Sequence, residues 1–366
     1  MRIAIFGGSF NPVHNEHINI AAAARRALGL DKIIVVPSHV TPLKNGRLTV
    51  PPVDRFNMCK LAFDGAEVSD YEIAAGGVSY SYLTCREFRK RYPDDELYFV
   101  MGADMYESFG DWKNPRDILD NVTLAVCARE KPLALNGRFP AVSIGYTGAK
   151  VSSTRIRALA ALGEDTGEYV PASVAEYIRG HNLYRLDGVE EVKKLLTKIR
   201  WEHTVRVAVT AAENCARAGV SERAALTAAL FHDCAKYLTF DSPLLKGFVC
   251  PDGVLDDVVH QYSGAYVAEK VFGIDDADVL NAIRYHSSGR ENMSALEKLI
   301  YLSDMLEEGR TFGGVEELRG EFARGLDAGL LAAFGHQIEY LGKSGKEIYP
   351  LTEKAYKYLK EHRNEQ

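Results

Sequence analysis

Two groups of residues in this 366-residue chain are of types and spacings that could do chemistry. The first is the run Gly7-Gly8-Ser9-Phe10-Asn11-Pro12-Val13-His14-Asn15-Glu16-His17, which follows an apolar segment and leads into a helical pattern. Paired glycines let backbone come close to a phosphate, and a helix start adds unpaired N–H groups and the positive end of a dipole. His14 and His17, three residues apart at that start, share one face and can both donate to a single polyphosphate. Either histidine alone would read as a surface residue at a helix entrance; the glycines, the strand before them and the spacing together make an anion site. The second group is spread over the other half of the chain: His203, the pair His232-Asp233, His260, His286 and Asp304. Each is flanked by apolar residues, where an unpaired charge would be costly. One buried histidine is usually a satisfied core residue, whereas four histidines and two aspartates on five successive helices are hard to explain that way.

Two different scaffolds must position these groups. Short β-branched runs over residues 2–6, 32–36, 67–73, 96–100 and 123–128 alternate with helical patterns over 15–28, 54–63, 81–91 and 115–119, the arrangement of a doubly wound parallel α/β sheet. Ligands bind such sheets at the carboxyl ends of the strands, so the residues just after Phe6, Val36, Ile73 and Val100 deserve inspection. A last strand over 141–145 precedes Ser152-Ser153-Thr154, a good N-cap cluster, and then helices over 155–162 and 171–180. After Tyr184 strand signals stop and helix follows helix to the end. The length suits two domains, expected as 1–186 and 187–366, an α/β domain followed by an all-α one.

Composition limits the function classes. With 46% hydrophobic and 26% charged residues the chain reads as an ordinary soluble globular protein, and no stretch approaches a membrane span. Residues 1–8 run directly into a strand-and-turn pattern, leaving no room for a signal peptide, so the expected compartment is the cytoplasm. Cys59, Cys85, Cys127, Cys215, Cys234 and Cys250 form no Cys-x-x-Cys pair and read as reduced and structural. The net charge of −6 is uneven: 21 Lys plus Arg against 21 Asp plus Glu up to Tyr184, then 23 against 29. An acidic second half is a poor footprint for nucleic acid, which leaves small anionic ligands in local pockets.

The N-terminal run resembles the His-x-Gly-His nucleotidylyltransferases and, within them, the bacterial nicotinate-nucleotide adenylyltransferases. Matches continue through Pro37 and Lys44, Gly77-Val78-Ser79-Tyr80-Ser81-Tyr82-Leu83-Thr84, Gly102-Ala103-Asp104 leading to Trp112, and Val151-Ser152-Ser153-Thr154-Arg155-Ile156-Arg157. The resemblance implies a reaction in which the 5′-phosphate of a mononucleotide attacks the α-phosphorus of ATP and pyrophosphate leaves. It assigns ATP to Gly7, Gly8, Ser9, Phe10, His14, His17, Gly102, Asp104, Ser153, Thr154 and Arg157, with Mg²⁺ carried on the phosphates. His14, His17 and Arg157 would be the catalytic residues, neutralising charge on the leaving oxygens. For the acceptor it implies Thr84 and nearby backbone reading a pyridine carboxylate, Tyr82 beside it, Trp112 stacking on the ring and Lys44 near the phosphate. Asn11 and Glu16 depart from the usual Asp and Gly. Glu16 adds a negative charge between two phosphate-binding histidines, so either it points away along the helix or activity falls.

The order His, His-Asp, His, His, Asp resembles the HD superfamily of metal-dependent phosphohydrolases. Ala282-Ile283-Arg284-Tyr285-His286, Gly289-Arg290, Glu297 to Leu302, Asp304, Glu307, Arg310 and Gly314 to Arg319 narrow it to bacterial HD hydrolases that split diadenosine tetraphosphate symmetrically. The implied metal ligands are His203, His232, Asp233, His260, His286 and Asp304. Adjacent helical residues project about 100° apart, so His232 can bind one ion while Asp233, the catalytic carboxylate, bridges two. Four imidazoles and two carboxylates suit iron, manganese or zinc, with iron the first choice. Lys236, Arg290 and Arg310 are candidates for holding the remaining phosphates. The leading expectation is a bifunctional enzyme acting on ATP, nicotinate mononucleotide and diadenosine tetraphosphate. A second reading makes the HD half a nucleotide-sensing or regulatory module, and a third gives the first half a different phosphate acceptor. The oligomeric state stays open, a homo-oligomer included.

Overall fold

Helix-start and strand signals translate into structure in a computed structural model that describes residues 1–41, 46–129, 138–148 and 151–362. The chain divides in the main into two compact units, the first running to Tyr184 and the second from Arg185. The first unit holds six parallel strands: β1 (Arg2–Gly8), β2 (Lys32–Pro37), β3 (Glu67–Val68), β4 (Glu96–Gly102), β5 (Thr123–Arg129) and β6 (Ala141–Gly148). They lie in the order β3-β2-β1-β4-β5-β6, so the chain reverses its direction of travel across the sheet between β1 and β4. Doubly wound sheets bind ligands in a crevice at such a reversal, here at the carboxyl ends of β1 and β4. The helices of this unit are α1 (Asn15–Leu28), α2 (Pro52–Ala62), α3 (Tyr71–Ala75), α4 (Ser81–Arg91), α5 (Ala103–Glu107), α6 (Pro115–Asn121), α7 (Ser153–Ala161) and α8 (Ala172–Gly180).

Ile3, Ile5, Ile34, Val36, Phe99, Leu124 and Val126 alternate along their strands and bury one sheet face against Phe88, Phe109 and Ile118. Each large side chain buried this way contributes about 1.5–3 kcal/mol. One expected strand is corrected. Residues 67–73 pair with β2 only at Glu67 and Val68, and from Tyr71 the chain is helical. The physical reason is local: the Ser69 hydroxyl accepts the Tyr71 N–H at 3.3 Å, turning the backbone away from the sheet just where the strand pattern would continue.

The second unit is helical throughout the described residues: α9 (Val189–Leu195), α10 (Lys198–Cys215), α11 (Glu222–Phe231), α12 (Val259–Lys270), α13 (Ala277–Arg284), α14 (Ala295–Leu306), α15 (Val315–Arg324), α16 (Leu326–Lys343) and α17 (Pro350–Glu361), with two single 3₁₀ turns. Four of its helices start at side-chain caps: Thr197 for α10, Ser221 for α11, Asp276 for α13, and Ser294 with Glu297 in a capping box for α14. These caps fix the rotational phase of the helices, and α10, α11, α13 and α14 pack side by side. Among the described residues no helix is long and apolar enough to cross a membrane.

Candidate functional site

At the end of β1, a side chain on Gly7 would meet the Phe99 ring at 3.3 Å and one on Gly8 the Phe10 ring at 3.0 Å, so the turn admits only glycine without displacement. Phe10 is in the left-handed region at φ 44° and buried, anchoring the loop from below. The chain then enters α1 with His14 as N-cap. The His14 backbone N–H donates to Nδ1 of His17 at 3.1 Å. An accepting Nδ1 in neutral His17 places the ring proton on Nε2, making that nitrogen a donor. The two rings lie 3.7 Å apart, centroid to centroid, and His17 leans on Phe10 at 5.0 Å. Ser153, first residue of α7, donates through Oγ to the Pro12 carbonyl at 3.2 Å. Thus α1 and α7 start beside the same loop.

Arg157 is fully buried, with Nη1 donating to the Asn11 carbonyl at 2.6 Å and Nη2 to Thr154 Oγ1 at 3.0 Å. Its guanidinium therefore braces the loop against α7. Asn11 is held from its side chain as well, Oδ1 accepting the Tyr184 hydroxyl at 2.9 Å. Arg55, which the sequence reading missed, is 3% exposed and donates to the carbonyls of Ser9 at 2.7 Å and His39 at 2.8 Å. It ties the loop after β1 to the one after β2, and burial lowers its pKa. Glu16 points away from the histidines: Tyr146 on β6 donates its hydroxyl to Glu16 Oε2 at 3.1 Å, and Asn19 donates to Oε1 at 3.0 Å. Gly148 leaves room for this carboxylate, since a Cβ there would stand 2.5 Å from Oε2.

Around the expected acceptor side, Thr84 is buried and donates its hydroxyl to Glu72 Oε1 at 2.5 Å. That proton is directed to a carboxylate inside the protein. Burial raises the Glu72 pKa against the opposing pull of Thr84, Ser79 and Arg55. Trp112 is half-buried, tilted on Phe109 at 5.5 Å and edge-on to Phe99 at 6.2 Å. Tyr82 lies 6.1 Å from Tyr80, whose ring carries Lys113 Nζ at 4.2 Å. Asp104 is exposed in the first turn of α5 and folds back over Gly102, where a Cβ would stand 2.7 Å from its Oδ1. Lys44 lies outside the described residues.

In the second unit α10 supplies His203, the end of α11 His232 and Asp233, α12 His260, the turn after α13 His286, and α14 Asp304. All six come together as two triads, His203 with His232 and Asp304, and Asp233 with His260 and His286, each with ligand atoms within 4.8 Å of one another. Asp233 faces both triads: Oδ2 lies 3.3 Å from His232 Nε2, while Oδ1 lies 3.4 Å from His260 Nε2 and 3.6 Å from His286 Nε2. Nδ1 of His232 lies 2.7 Å from the Ala229 carbonyl and Nδ1 of His286 lies 2.8 Å from that of Ile283. A proton shared there turns each Nε2 lone pair inward. Among the described residues Nε2 of His232 and Oδ1 of Asp233 are buried without a hydrogen-bond partner, as a pair of metal ligands would be. The donor set and these orphaned atoms fit divalent transition ions.

Charge compensation is visible here. Burial opposes the charge on Asp233, yet His232 and His286 hold it well below the usual carboxylate range; His203 and His232 do the same for Asp304. Burial also opposes a charged His203, but Asp304 and Glu307 outweigh it and raise the pKa. His260 is pushed down to about 3 by burial, His286 and Lys236. Cations ring the cluster: Lys236 Nζ is 3.2 Å from His260 Nε2, and Arg310 Nη2 is 3.1 Å from Asp304 Oδ1. Arg200 Nη1 is 2.9 Å from Asp233 Oδ2. Arg200 was missed, although it stands one turn before His203 on α10 and so shares its face. Arg290 is not brought to this group; it pairs with buried Glu297 at 2.8 Å. Cys234, next to Asp233, is fully buried, its Sγ 3.6 Å from the Gly264 carbonyl, and burial raises its pKa.

Comparison with known proteins divides the chain in the same sense. The family description Cytidylyltransferase-like matches residues 5–159, and HD domain matches residues 200–309. The chain is 29% identical over 331 residues to the probable nicotinate-nucleotide adenylyltransferase/Ap4A hydrolase of Mycoplasma genitalium, covering 86% of this chain and 91% of that protein. It is 36% identical over 187 residues to the probable nicotinate-nucleotide adenylyltransferase of Borrelia turicatae, covering 50% of this chain and 98% of that protein. It is also 37% identical over 177 residues to the symmetrical bis(5'-nucleosyl)-tetraphosphatase of Halalkalibacterium halodurans, covering 47% of this chain and 95% of that protein.

Proposed function

Because the chain belongs both to the nicotinate-nucleotide adenylyltransferase family and to the symmetrical bis(5'-nucleosyl)-tetraphosphatase family, we propose that it is one bifunctional nucleotide enzyme. Its first unit converts ATP and nicotinate mononucleotide to deamido-NAD and pyrophosphate, a step of NAD biosynthesis. Its second unit hydrolyses diadenosine tetraphosphate to two ADP. The observation that carries the proposal is the simultaneous presence of a histidine pair at a helix start beside the β1–β4 crevice and of two ligand triads, with Asp233 of one facing His232 of the other.

In the transfer reaction an oxygen of the mononucleotide phosphate forms a bond to the α-phosphorus of ATP, and the bond to the bridging oxygen breaks, the electron pair leaving with pyrophosphate. The acceptor phosphate is already ionised, so the protein supplies position and charge neutralisation rather than a base. His17 donates from Nε2 and His14 stands beside it; the starts of α1 and α7, with Ser153 and Thr154, add backbone donors around Gly7, Gly8, Ser9 and Phe10. Mg²⁺ would accompany the ATP phosphates. We assign Arg157 to positioning, since it is buried against Asn11 and Thr154, and Gly102 and Asp104 to the nucleotide end of the crevice. The pyridine carboxylate is met by backbone near Thr84, with Tyr82 and Trp112 flanking the ring.

In the hydrolytic reaction water oxygen bonds to one of the two central phosphorus atoms, the central bridging bond breaks and ADP leaves on the other side. His203, His232 and Asp304 would hold one ion and Asp233, His260 and His286 the other, with iron favoured over manganese or zinc. Bound ions would lower the pKa of the attacking water and neutralise the phosphate. Arg200, Lys236 and Arg310 stand at the cluster to hold phosphate oxygens. Both reactions draw on the free nucleotide pool, and the cytoplasm is the compartment that supplies it. The test is to incubate purified protein with ATP and a panel of phosphate acceptors, and separately with diadenosine tetraphosphate and Fe²⁺, Mn²⁺ or Zn²⁺, and to identify products by chromatography. Deamido-NAD from the first mixture and ADP alone from the second are expected; AMP with ATP in the second would refute symmetrical cleavage.

A further inference from the structure

His203 differs from His232 and His286 in where it stands on its helix. His232 caps α11 and His286 follows α13, positions where the last carbonyls of a helix lack intrahelical partners. Their Nδ1 atoms therefore meet the carbonyls of Ala229 and Ile283 three residues back. His203 lies inside α10, where the carbonyls a turn behind it are engaged in the helical ladder. Its Nδ1 needs an acceptor from another element. Glu307, the C-cap of α14, provides one, with Oε1 3.2 Å from Nδ1. Three residues earlier on the same face, Asp304 places Oδ1 2.9 Å from Nε2, so two carboxylates bracket the imidazole at its two nitrogens.

Glu307 is itself immobilised. It is 1% exposed; Oε2 accepts from Arg206 Nε at 2.6 Å and from the Gly309 N–H at 2.5 Å. Its backbone carbonyl accepts from Arg319 at 2.6 Å. Arg310 Nε approaches Oε1 only to 3.7 Å. Resting on the two-ion reading of this cluster, we propose that Glu307 is the positioning residue for His203, binding the Nδ1 proton so that the Nε2 lone pair is presented to the ion shared with His232 and Asp304. Its action is confined to that triad. Asp233, His260 and His286 are oriented without it.

The test measures Mn²⁺ or Zn²⁺ binding to metal-stripped full-length protein by calorimetry and elemental analysis, with imidazole NMR on the zinc-loaded form. Wild type is expected to bind two ions, with His203 Nδ1–H as a slowly exchanging resonance. Glu307→Ala should weaken one ion by roughly 10- to 100-fold and leave the other unchanged. Glu307→Gln keeps an acceptor oxygen and should recover most of that loss. Arg206→Leu removes one of the two donors that hold Oε2 while leaving Oε1 on Nδ1, and should weaken the same ion less than Glu307→Ala does. Two ions at unchanged affinity in Glu307→Ala, or an equal loss in Arg206→Leu, would overturn the proposal. Should the alanine variant fail to fold, a fast-exchanging His203 Nδ1–H in wild type, or a glutamine variant that loses both ions together, overturns it instead. Wild-type protein that binds no ion would overturn the two-ion reading itself, a different failure.

Discussion

Both units bury carboxylates, with opposite consequences. In the first, Glu72 is surrounded mainly by hydroxyls and burial wins, raising its pKa. In the second, buried Asp233 and half-buried Asp304 face imidazoles, and both are held below their ordinary range; Glu307, with His203 and Arg206 against it, falls to about 2 despite burial. The contrast shows what each site is organised to receive. A helix start and a donor histidine are chemistry suited to an anion, and negative charge among inward-facing lone pairs is chemistry suited to cations.

The sharpest way to break this comparison is Asp233→Ala. Asp233 belongs to one triad and faces His232 of the other, so its loss should empty at least one metal position and abolish tetraphosphate hydrolysis while adenylyl transfer survives. Elemental analysis beside both assays decides it; full metal content with normal hydrolysis would end the two-metal reading. His17→Ala is the mirror experiment, expected to cost adenylyl transfer about 10²-fold or more and leave hydrolysis intact. Near-wild-type transfer would remove His17 from the ATP site.

A smaller effect probes the buried acid of the first unit. Because the folded pKa of Glu72 lies above its unfolded value of 4.5, its share of stability is present below pH 4.5 and lost as pH rises through the folded value. Glu72→Gln does not titrate, so its melting temperature relative to wild type should climb as pH is raised from 4 to 8. A difference that stays flat with pH would show that Glu72 is not destabilised by its charge. Smallest of all, Glu16→Gly is expected to leave transfer near wild type, since the carboxylate already turns to Tyr146, and to cost about 0.5–1 kcal/mol as glycine in a helix. A clear gain in rate would mean that Glu16 swings back toward the phosphates.

Much of this was legible in the sequence because it is written in local patterns. The β1 turn and α1 follow from Gly7, Gly8 and the apolar period, and the six side chains that gather in the second unit are those whose order along the chain carried the resemblance. What escaped depends on contacts the order of residues does not encode. Arg55 meets Ser9 across 46 positions, and Thr84 spends its proton on Glu72 because α3 and α4 pack, not because of any motif. The strand expected over 67–73 failed for a nearer reason, one serine hydroxyl capturing an N–H that the pattern assigned to a sheet. Arg157 shows what a motif leaves unsaid: the matching position holds the matching residue, and its guanidinium also braces the Asn11 carbonyl and Thr154.

The placement of Cys234 has a consequence for ion choice. A sulfur atom sits one residue from Asp233, and a thiolate there would be a soft donor able to draw thiophilic ions such as Cu(I) and to react with oxidants. Sealed from water, with its pKa raised by burial, the thiol is disfavoured from ionising. The ligand atoms gathered around Asp233 are accordingly nitrogen and oxygen, and burial shields the neighbouring sulfur from the oxidants an exposed thiol would meet.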